Sequence, residues 1–426
     1  MLSQSILSET LVSNEEFILK NVRHIVPREG VRPPDTLRKT VVFYGVRRSG
    51  KTFILYDLFL KHRERAFYLD FEDDRLRGFD VGDFERFKDA VNELKPHLIG
   101  KEKVFLFDEI QNVRGWERFC RRAVERENTK VYVSGSSSQV SPSEIHTALR
   151  GRSWSMEIFP FSYREFLKAG AFDVSGKDVF HGEKKAHAKK YFAEYLKWGG
   201  FPEVSFLSSE LEKRKLIKEY LNAMYFRDLV ERYGITNVAL LETLLDKLFS
   251  SFAMKFSLTA FYKQYKEKLP FSKDSLFRYY KHFQESLLVC EVRKLSESTY
   301  ARVRNPAKIY LIDTGLCRRV ASEDRGRLLE NAVLLEFKRR GCEIFYHEEK
   351  RECDFIVKTD GREFLPVQVC YELYEKNRKR EPEGVVEACQ RFGIKRGMIL
   401  TYDDEEDLEE KGIHIAVVPA WKWMIG

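Results

Sequence analysis

The sequence predicts a multidomain α/β fold, and three observations carry that expectation. The chain has 426 residues, too many for one hydrophobic core, so about two to four domains are expected. Short apolar runs at 41–44, 66–71, 104–107 and 130–133 alternate with helix-like stretches such as 84–94 and 116–126, the pattern of parallel strands joined by helical crossovers. After 159–161 the runs stop, helical periodicity takes over, and short strands return only near Val289.

In order along the chain, the run 41–44 feeds a glycine-rich turn and then a helix at 52–61. Three further strands complete a parallel sheet. Beyond residue 161, the stretches 163–167, 186–198 and 210–233 read as a helical subdomain, broken at 199–202. Helices at 240–250, 257–269 and 273–288 follow, with Ser257 and Ser272 in N-cap positions. Short strands at 289–294 and 308–312 complete the pattern of a winged helix. The last block reads as a second, separate α/β domain. It has a helix at 328–340, strands at 343–347, 353–359 and 363–369, a charged loop at 376–383, a helix at 385–392, and strands at 397–402 and 413–418.

Hydrophobic residues make up 43% of the chain and charged residues 33%, which excludes a disordered chain. The seven cysteines are odd in number and form no C-x-x-C pair, which argues against a disulfide framework or zinc site and for a reducing interior. The first twelve residues have no basic n-region, and no run of eighteen apolar residues occurs. A cytoplasmic protein with no membrane partner is expected. Of the net charge of +8, a local excess of +7 lies between Phe252 and Lys308, where twelve basic residues face five acids. Residues 275–282 are a recognition-helix candidate there, with Arg278 and Lys281 toward phosphates. Phe277, Tyr279, Tyr280 and Phe283 are expected to be core. A solvated lysine-rich face is the plain alternative.

Gly45-Val46-Arg47-Arg48-Ser49-Gly50-Lys51-Thr52 fits G-x-x-x-x-G-K-[ST], with Phe53 next. Glycines let the backbone wrap phosphates with its N–H groups, and the following helix turns its positive end toward them. Lys51 is expected on the β- and γ-phosphates of ATP and Thr52 on Mg²⁺. Asp108 and Glu109 end the run 104–107, 56 residues after Thr52. Asp108 is the expected metal ligand and Glu109 the group that polarises the attacking water. Ser134–Ser138 follow the fourth strand. A hydroxyl there, Ser137 in particular, suits the γ-phosphate or the water, though Ser and Gly also suit a plain turn. Arg150 and Arg152 are candidates to stabilise transition-state charge, in their own site or a neighbour's. A solvated arginine or a nucleic-acid contact remains the alternative for each.

The strings GVRRSGKT, LFDEIQNVRGWE, VYVSGSSS and LRGRSWSMEIFPFSYREFL, with GGFPEV, YFRDL and IYLIDTGL further on, resemble the archaeal and bacterial AAA-type ATPases of the extended AAA clade. Members carry a C-terminal domain of unknown function similar to restriction endonucleases. The resemblance implies an AAA-type P-loop core (1–162), a helical lid (163–238), a winged helix (239–312) and a restriction-endonuclease-like α/β domain (313–426). It also implies a homo-oligomeric ring, often a hexamer, in which an arginine of one subunit completes its neighbour's site. The tail departs from an active nuclease. Glu330 and Asp354 stand where acids are expected, but the Glu-x-Lys element reads Gln368-Val369-Cys370. Gln is a weak ligand for a hard cation, and Cys cannot replace the lysine's charge. The tail is therefore expected to be catalytically inactive, with Lys350, Arg351 and Lys376 as the cations that would rescue it. The leading expectation is a DNA-associated motor or switch ATPase that remodels or translocates DNA or branched junctions; the alternatives are a signalling ATPase acting on protein and an ATP-gated nuclease.

Overall fold

The computed structural model describes residues 2–34, 36–136, 149, 151–174, 176–296, 298, 305–319, 324–358 and 363–426. The chain divides into two compact units, Met1–Phe159 and Pro160–Gly426.

In the first unit, strands β1 (Thr40–Gly45), β2 (Ala66–Asp70), β3 (Lys103–Asp108), β4 (Thr129–Ser136) and β5 (Ser153–Glu157) form a sheet of order β2-β3-β4-β1-β5. All its pairings are parallel. Side chains alternate between faces, as strand geometry requires. Phe67, Leu69, Phe105, Phe107, Val131 and Val133 join Phe84, Phe87 and Phe119 from helices Asp83–Leu94 and Trp116–Arg126. Val41, Phe43, Tyr68, Val104, Leu106 and Tyr132 meet helix Lys51–Lys61 through Ile54, Leu55, Leu58 and Phe59. Both faces are covered, so the central strands read as unbroken apolar runs. Connections reverse at β1: the first crossover leads toward β2, the last from β4 to β5 on the other side. The carboxyl end of β1 therefore opens into a crevice, and that end carries the glycine-rich motif.

Two elements here escape the sequence reading. Helix Gln4–Asn21 buries only Leu7, Thr10, Leu11 and Ile18, too sparse a stripe to register. Strand β5 is a half-exposed edge paired to β1 alone, so it needs no apolar run.

The second unit begins with helices Tyr163–Ala169, Gly182–Trp198 and Glu210–Ala223. The last continues as a wider π-helical stretch, Met224–Glu231, which holds the YFRDL string. Helices Val238–Ser250, Leu258–Tyr265 and Lys273–Glu285 follow. The Ser257 and Ser272 side chains cap the latter two, accepting from Ala260 N and Ser275 N. Of the four aromatics expected in the core, Tyr279, Tyr280 and Phe283 are buried, but Phe277 is 45% exposed.

Nine strands form the second sheet: β6 (Met254–Phe256), β7 (Val289–Lys294), β8 (Ala307–Leu311), β9 (Glu343–Glu348), β10 (Glu352–Lys358), β11 (Phe364–Val369), β12 (Arg396–Thr401), β13 (Glu406–Glu410) and β14 (Ile413–Pro419). Their order is β13-β14-β12-β11-β10-β9-β7-β8-β6. The expected hairpin is present as antiparallel β7 and β8. Its other edge pairs with β9, in parallel, through Arg293 and Lys294. The break expected between residues 312 and 313 thus falls inside one continuous sheet. The physical reason is the unpaired edge of β7, whose N–H and C=O groups β9 satisfies. The charged loop expected at 376–383 is also corrected, because helix Arg380–Phe392 starts inside it. Pro382 is tolerated there because the first-turn N–H groups have no intrahelical partner to lose.

Three of the strings singled out in the sequence meet in this unit. Asp313, of YLIDTGL, accepts from Gly200 N at 2.7 Å and Gly315 N at 2.8 Å. Gly200, of GGFPEV, accepts at its carbonyl from Phe161 N at 2.6 Å. A Cβ on Gly199 would collide with the Asp313 carboxylate, one on Gly200 with Phe161 O, and one on Gly315 with Trp198 O. Burial pushes the Asp313 carboxyl up to about 7, with the two N–H donors pulling it back.

Candidate nucleotide site

The motif forms a phosphate-sized cradle between β1 and helix Lys51–Lys61. A Cβ on Gly45 would collide with the carbonyl of Ile158, so only glycine fits. Arg48 and Gly50 take φ of 68° and 93°, the left-handed backbone that curls the loop. Gly50 is the N-cap of the helix and offers no side-chain cap, which leaves the first-turn N–H groups to an outside acceptor. Val46, Ser49 and Lys51 are buried. Lys51 Nζ donates to the carbonyls of Gly45 and Val46, both at 3.1 Å. Among the described residues the buried Ser49 hydroxyl has no hydrogen-bond partner. Arg47 lies 3.9 Å from Glu72, and Phe53 is 49% exposed on the helix. An unfilled buried hydroxyl, an uncapped helix end and a buried ammonium suit a polyphosphate.

Asp108 ends β3 beside this loop and is 2% exposed. It accepts from the hydroxyls of Tyr68 at 3.0 Å and of Ser134, and the Thr52 hydroxyl is near enough to act on it as well. Burial lifts its carboxyl, the neighbouring Glu109 lifts it further, and the three hydroxyls pull it down. Asp70, paired with Asp108 across β2 and β3, is pushed up to about 7 by burial and by the nearby acids, against the Glu72 N–H bond. Acidic oxygens crowded beside the Thr52 hydroxyl are the donor set a hard divalent cation takes, so these residues fit Mg²⁺. Glu109 sits in left-handed backbone at φ 48°, and its carboxylate accepts from Gln111 Nε2.

The structure places Asp108 and Glu109, at the end of β3, beside the loop Gly45–Thr52. Ser137 and Arg150 lie outside the described residues. Arg152 pairs with Glu125 at 3.0 Å and, among the described residues, with no group of the loop. Among the described serines of the run, Ser134 reaches Asp108 through its hydroxyl. Its β4 position, directly beside the carboxyl end of β3, was the missing signal. Tyr68 and Gln111 were also missed, because neither stands out until β2 and β3 are adjacent.

Residues 37–167 match a family described as an AAA domain, and residues 189–326 match a domain of unknown function (DUF8612). Over its whole length the chain is 33% identical to an uncharacterized protein of Methanocaldococcus jannaschii, covering 100% of this chain and 96% of that protein. The chain belongs to the family of that archaeal protein. An uncharacterized protein of Haemophilus influenzae is 26% identical, with 97% and 99% covered. Among solved structures, the RuvB Holliday junction branch migration motor of Thermotoga maritima gives a TM-score of 0.28 at 16% identity, covering 70% of this chain and 92% of that chain. Cdc6p of Pyrobaculum aerophilum gives 0.26 at 12% identity, covering 78% and 93%. Scores this low carry no argument. The AAA match contains β1 to β5, the loop and Asp108–Glu109, so this member of the family has an AAA-type nucleotide unit. Neither family match extends to the endonuclease likeness expected of residues 313–426. No helix among the described residues is long and apolar enough to cross a membrane.

A second polar cluster lies in the other unit. Lys308, on β8, is 3% exposed, and its Nζ lies 2.9 Å from Glu330 and 2.8 Å from both Glu352 and Asp354. The lysine missing from the tail's motif is thus supplied by the hairpin, and not by Lys350, Arg351 or Lys376. Each carboxylate has further ties: Tyr310 donates to Glu330 at 2.7 Å, Val369 N to Asp354 at 3.0 Å, and Lys255 pairs with Glu352 at 2.7 Å, while Asp354 N donates to Gln368, which itself donates to Glu381 at 2.9 Å. Burial lifts Glu330 to about 7, Asp354 adds to the rise, and Lys308 opposes it. Burial alone would lower the Lys308 ammonium, but Asp354, Tyr310, Glu330 and Glu352 hold it above the usual range.

Proposed function

We propose that this protein hydrolyses ATP with Mg²⁺ and couples hydrolysis to binding or remodelling DNA as a homo-oligomeric ring, with a hexamer as the first expectation. The observation that carries the ATPase reading is the buried Asp108 carboxylate at the end of β3, beside a loop whose helix end is uncapped and whose Lys51 is buried. In this reading the loop amides and Lys51 bind the phosphates, and Thr52 and Asp108 hold Mg²⁺. When bound, the ion neutralises charge on the phosphate oxygens. Glu109 orients the attacking water once Gln111 releases it, and Ser134 keeps Asp108 and Glu109 in register. Ser137 near the γ-phosphate, and Arg150 or Arg152 donated to a neighbouring subunit, complete the proposal.

The DNA part is supported by the helix Lys273–Glu285, whose exposed face carries Lys273, Phe277, Arg278 and Lys281. The charge excess counted in the sequence overstates this face. Lys308 is buried, and Lys255 is tied to Glu348 and Glu352. We assign no phosphodiester cleavage to residues 313–426. Lys308 fills the space among the carboxylates, and each carboxylate is already spoken for.

Turnover measured with no DNA and with duplex, single-stranded and branched DNA, beside a mass measurement, tests the whole reading. Lys51→Ala is expected to remove most turnover; normal hydrolysis by that variant overturns the ATPase reading. Phosphate contacts by Lys273, Arg278 and Lys281 predict a roughly fortyfold loss of DNA affinity between 50 and 200 mM salt. Neither stimulation nor salt dependence would remove DNA from the proposal. Metal-dependent cutting that disappears in Asp354→Ala would overturn the inactive assignment.

A further inference from the structure

The chain leaves the first unit at Phe159. Just before that point, Ile158 N donates to Tyr44 O at 2.7 Å, and Ile158 O lies where a Cβ on Gly45 would stand. The exit segment therefore rests against the end of β1 and the first residue of the phosphate loop. Arg28 makes a third link. Its Nη1 donates to the carbonyl of Ser49 at 2.7 Å, and its Nη2 donates to the carbonyl of Phe159. Arg28 lies between helix Gln4–Asn21 and β1, ahead of the residues matched as an AAA domain, so the domain match does not account for it.

The link has a specific consequence for the loop. A trans peptide points its C=O and its N–H in opposite directions. Holding the Ser49 carbonyl outward thus turns the Gly50 N–H inward, toward the phosphates. That peptide needs a restraint. Gly50 has φ 93°, and glycine accepts either peptide orientation at little cost. A charge-assisted bond from a planar guanidinium supplies the restraint. Its fork reaches two carbonyls at once, which a lysine cannot do with the same geometry.

We infer that Arg28 is a positioning residue of the nucleotide site: it fixes the Ser49–Gly50 peptide and ties it to Phe159, so that nucleotide occupancy registers where the chain leaves the first unit. The inference rests on the ATP reading above. No contact between Arg28 and nucleotide is required.

The test uses the full chain as wild type, Arg28→Lys, Arg28→Met and Lys51→Ala. ADP and ATP affinity are measured with a fluorescent analogue, KM and kcat by phosphate release, and amide hydrogen exchange across 155–161 with and without ADP. Wild type should slow exchange at Ile158 when ADP binds. Arg28→Met should weaken nucleotide binding about tenfold or more, the scale of a lost charged hydrogen bond, raise KM more than it lowers kcat, and abolish the ADP-dependent change at Ile158. Arg28→Lys should recover part of the affinity without the exchange response, since it keeps the charge and loses the fork. That split is not what a merely destabilised fold gives, and thermal unfolding of each variant checks the fold directly. If wild type binds and Arg28→Met binds equally well with the same exchange response, this inference is overturned and the ATP reading stands. If wild type binds no nucleotide, the ATP reading falls and takes the inference with it.

Discussion

Replacing Lys308 with Met is the sharpest test of how the second unit is held together. The side chain is almost fully buried, and its ammonium touches three carboxylates, on the helix Arg325–Arg339 and on β10. Methionine keeps the volume and removes the charge. Glu330 and Asp354 then share a buried site with no cation, while Glu352 keeps Lys255. Removing one partner from such a site costs about 3–5 kcal/mol. In a unit of this size that is roughly 2–4 °C per kcal/mol, so the Tm should fall by about 6–20 °C at pH 8. The loss must depend on pH. Glu330 is lifted to about 7 in the fold. A carboxyl raised above its unfolded value stabilises the fold only while protonated, so its contribution is present below about pH 4.5 and lost as pH rises through about 7. Without Lys308 the Glu330 carboxyl loses the charge that opposes its rise, so the variant should suffer more at pH 8 than at pH 5. Urea unfolding of the full chain, read by tryptophan fluorescence at both pH values, measures this. Adding Glu330→Gln and Asp354→Asn to the variant should return much of the loss. A Lys308→Met penalty below about 1 kcal/mol, or one that ignores pH, would refute the reasoning, because only a screened surface pair behaves so.

Three further outcomes are expected. Ser134→Ala removes a hydroxyl that donates to Asp108 and receives the Glu109 N–H. Turnover should fall about tenfold or more while ADP affinity stays near wild type, and unchanged turnover argues against a role for this serine. Asp70 is raised to about 7 mainly by burial, so the wild-type fold should lose stability as pH rises from 6 to 8. Thermal unfolding of Asp70→Asn should show a flatter profile, and identical profiles would mean that Asp70 is solvated. Gly200→Ala drives a methyl group into the Phe161 carbonyl and should cost about 1–3 kcal/mol; an unchanged Tm would show that the segment yields freely.

Much of the first unit was legible in the chain. A buried parallel strand must be apolar on both faces, so β1, β3 and β4 appear as short unbroken runs, and the glycine and lysine spacing of a phosphate loop has few other uses. Where one face is solvated the signal fades, which is why β5 and the helix Gln4–Asn21 went unread. In the second unit, local patterns located most helices and strands within a few residues. They could not show which strand edge pairs with which, and that pairing merged the expected hairpin and tail into one sheet.

The sequence by itself determined the loop pattern: Gly45, Gly50, Lys51 and Thr52 follow one apolar run and Asp108 and Glu109 end another, so their spacing is local to two strand ends. Tertiary structure alone decided which residues support them. Ser134 reaches Asp108 because β4 lies beside β3. Arg28 reaches Ser49 and Phe159 from outside the motif. Lys308 arrives at the tail's acids from a strand 46 residues before Asp354. Contacts between groups far apart in sequence leave no periodicity or spacing to read, so only the folded chain reveals them.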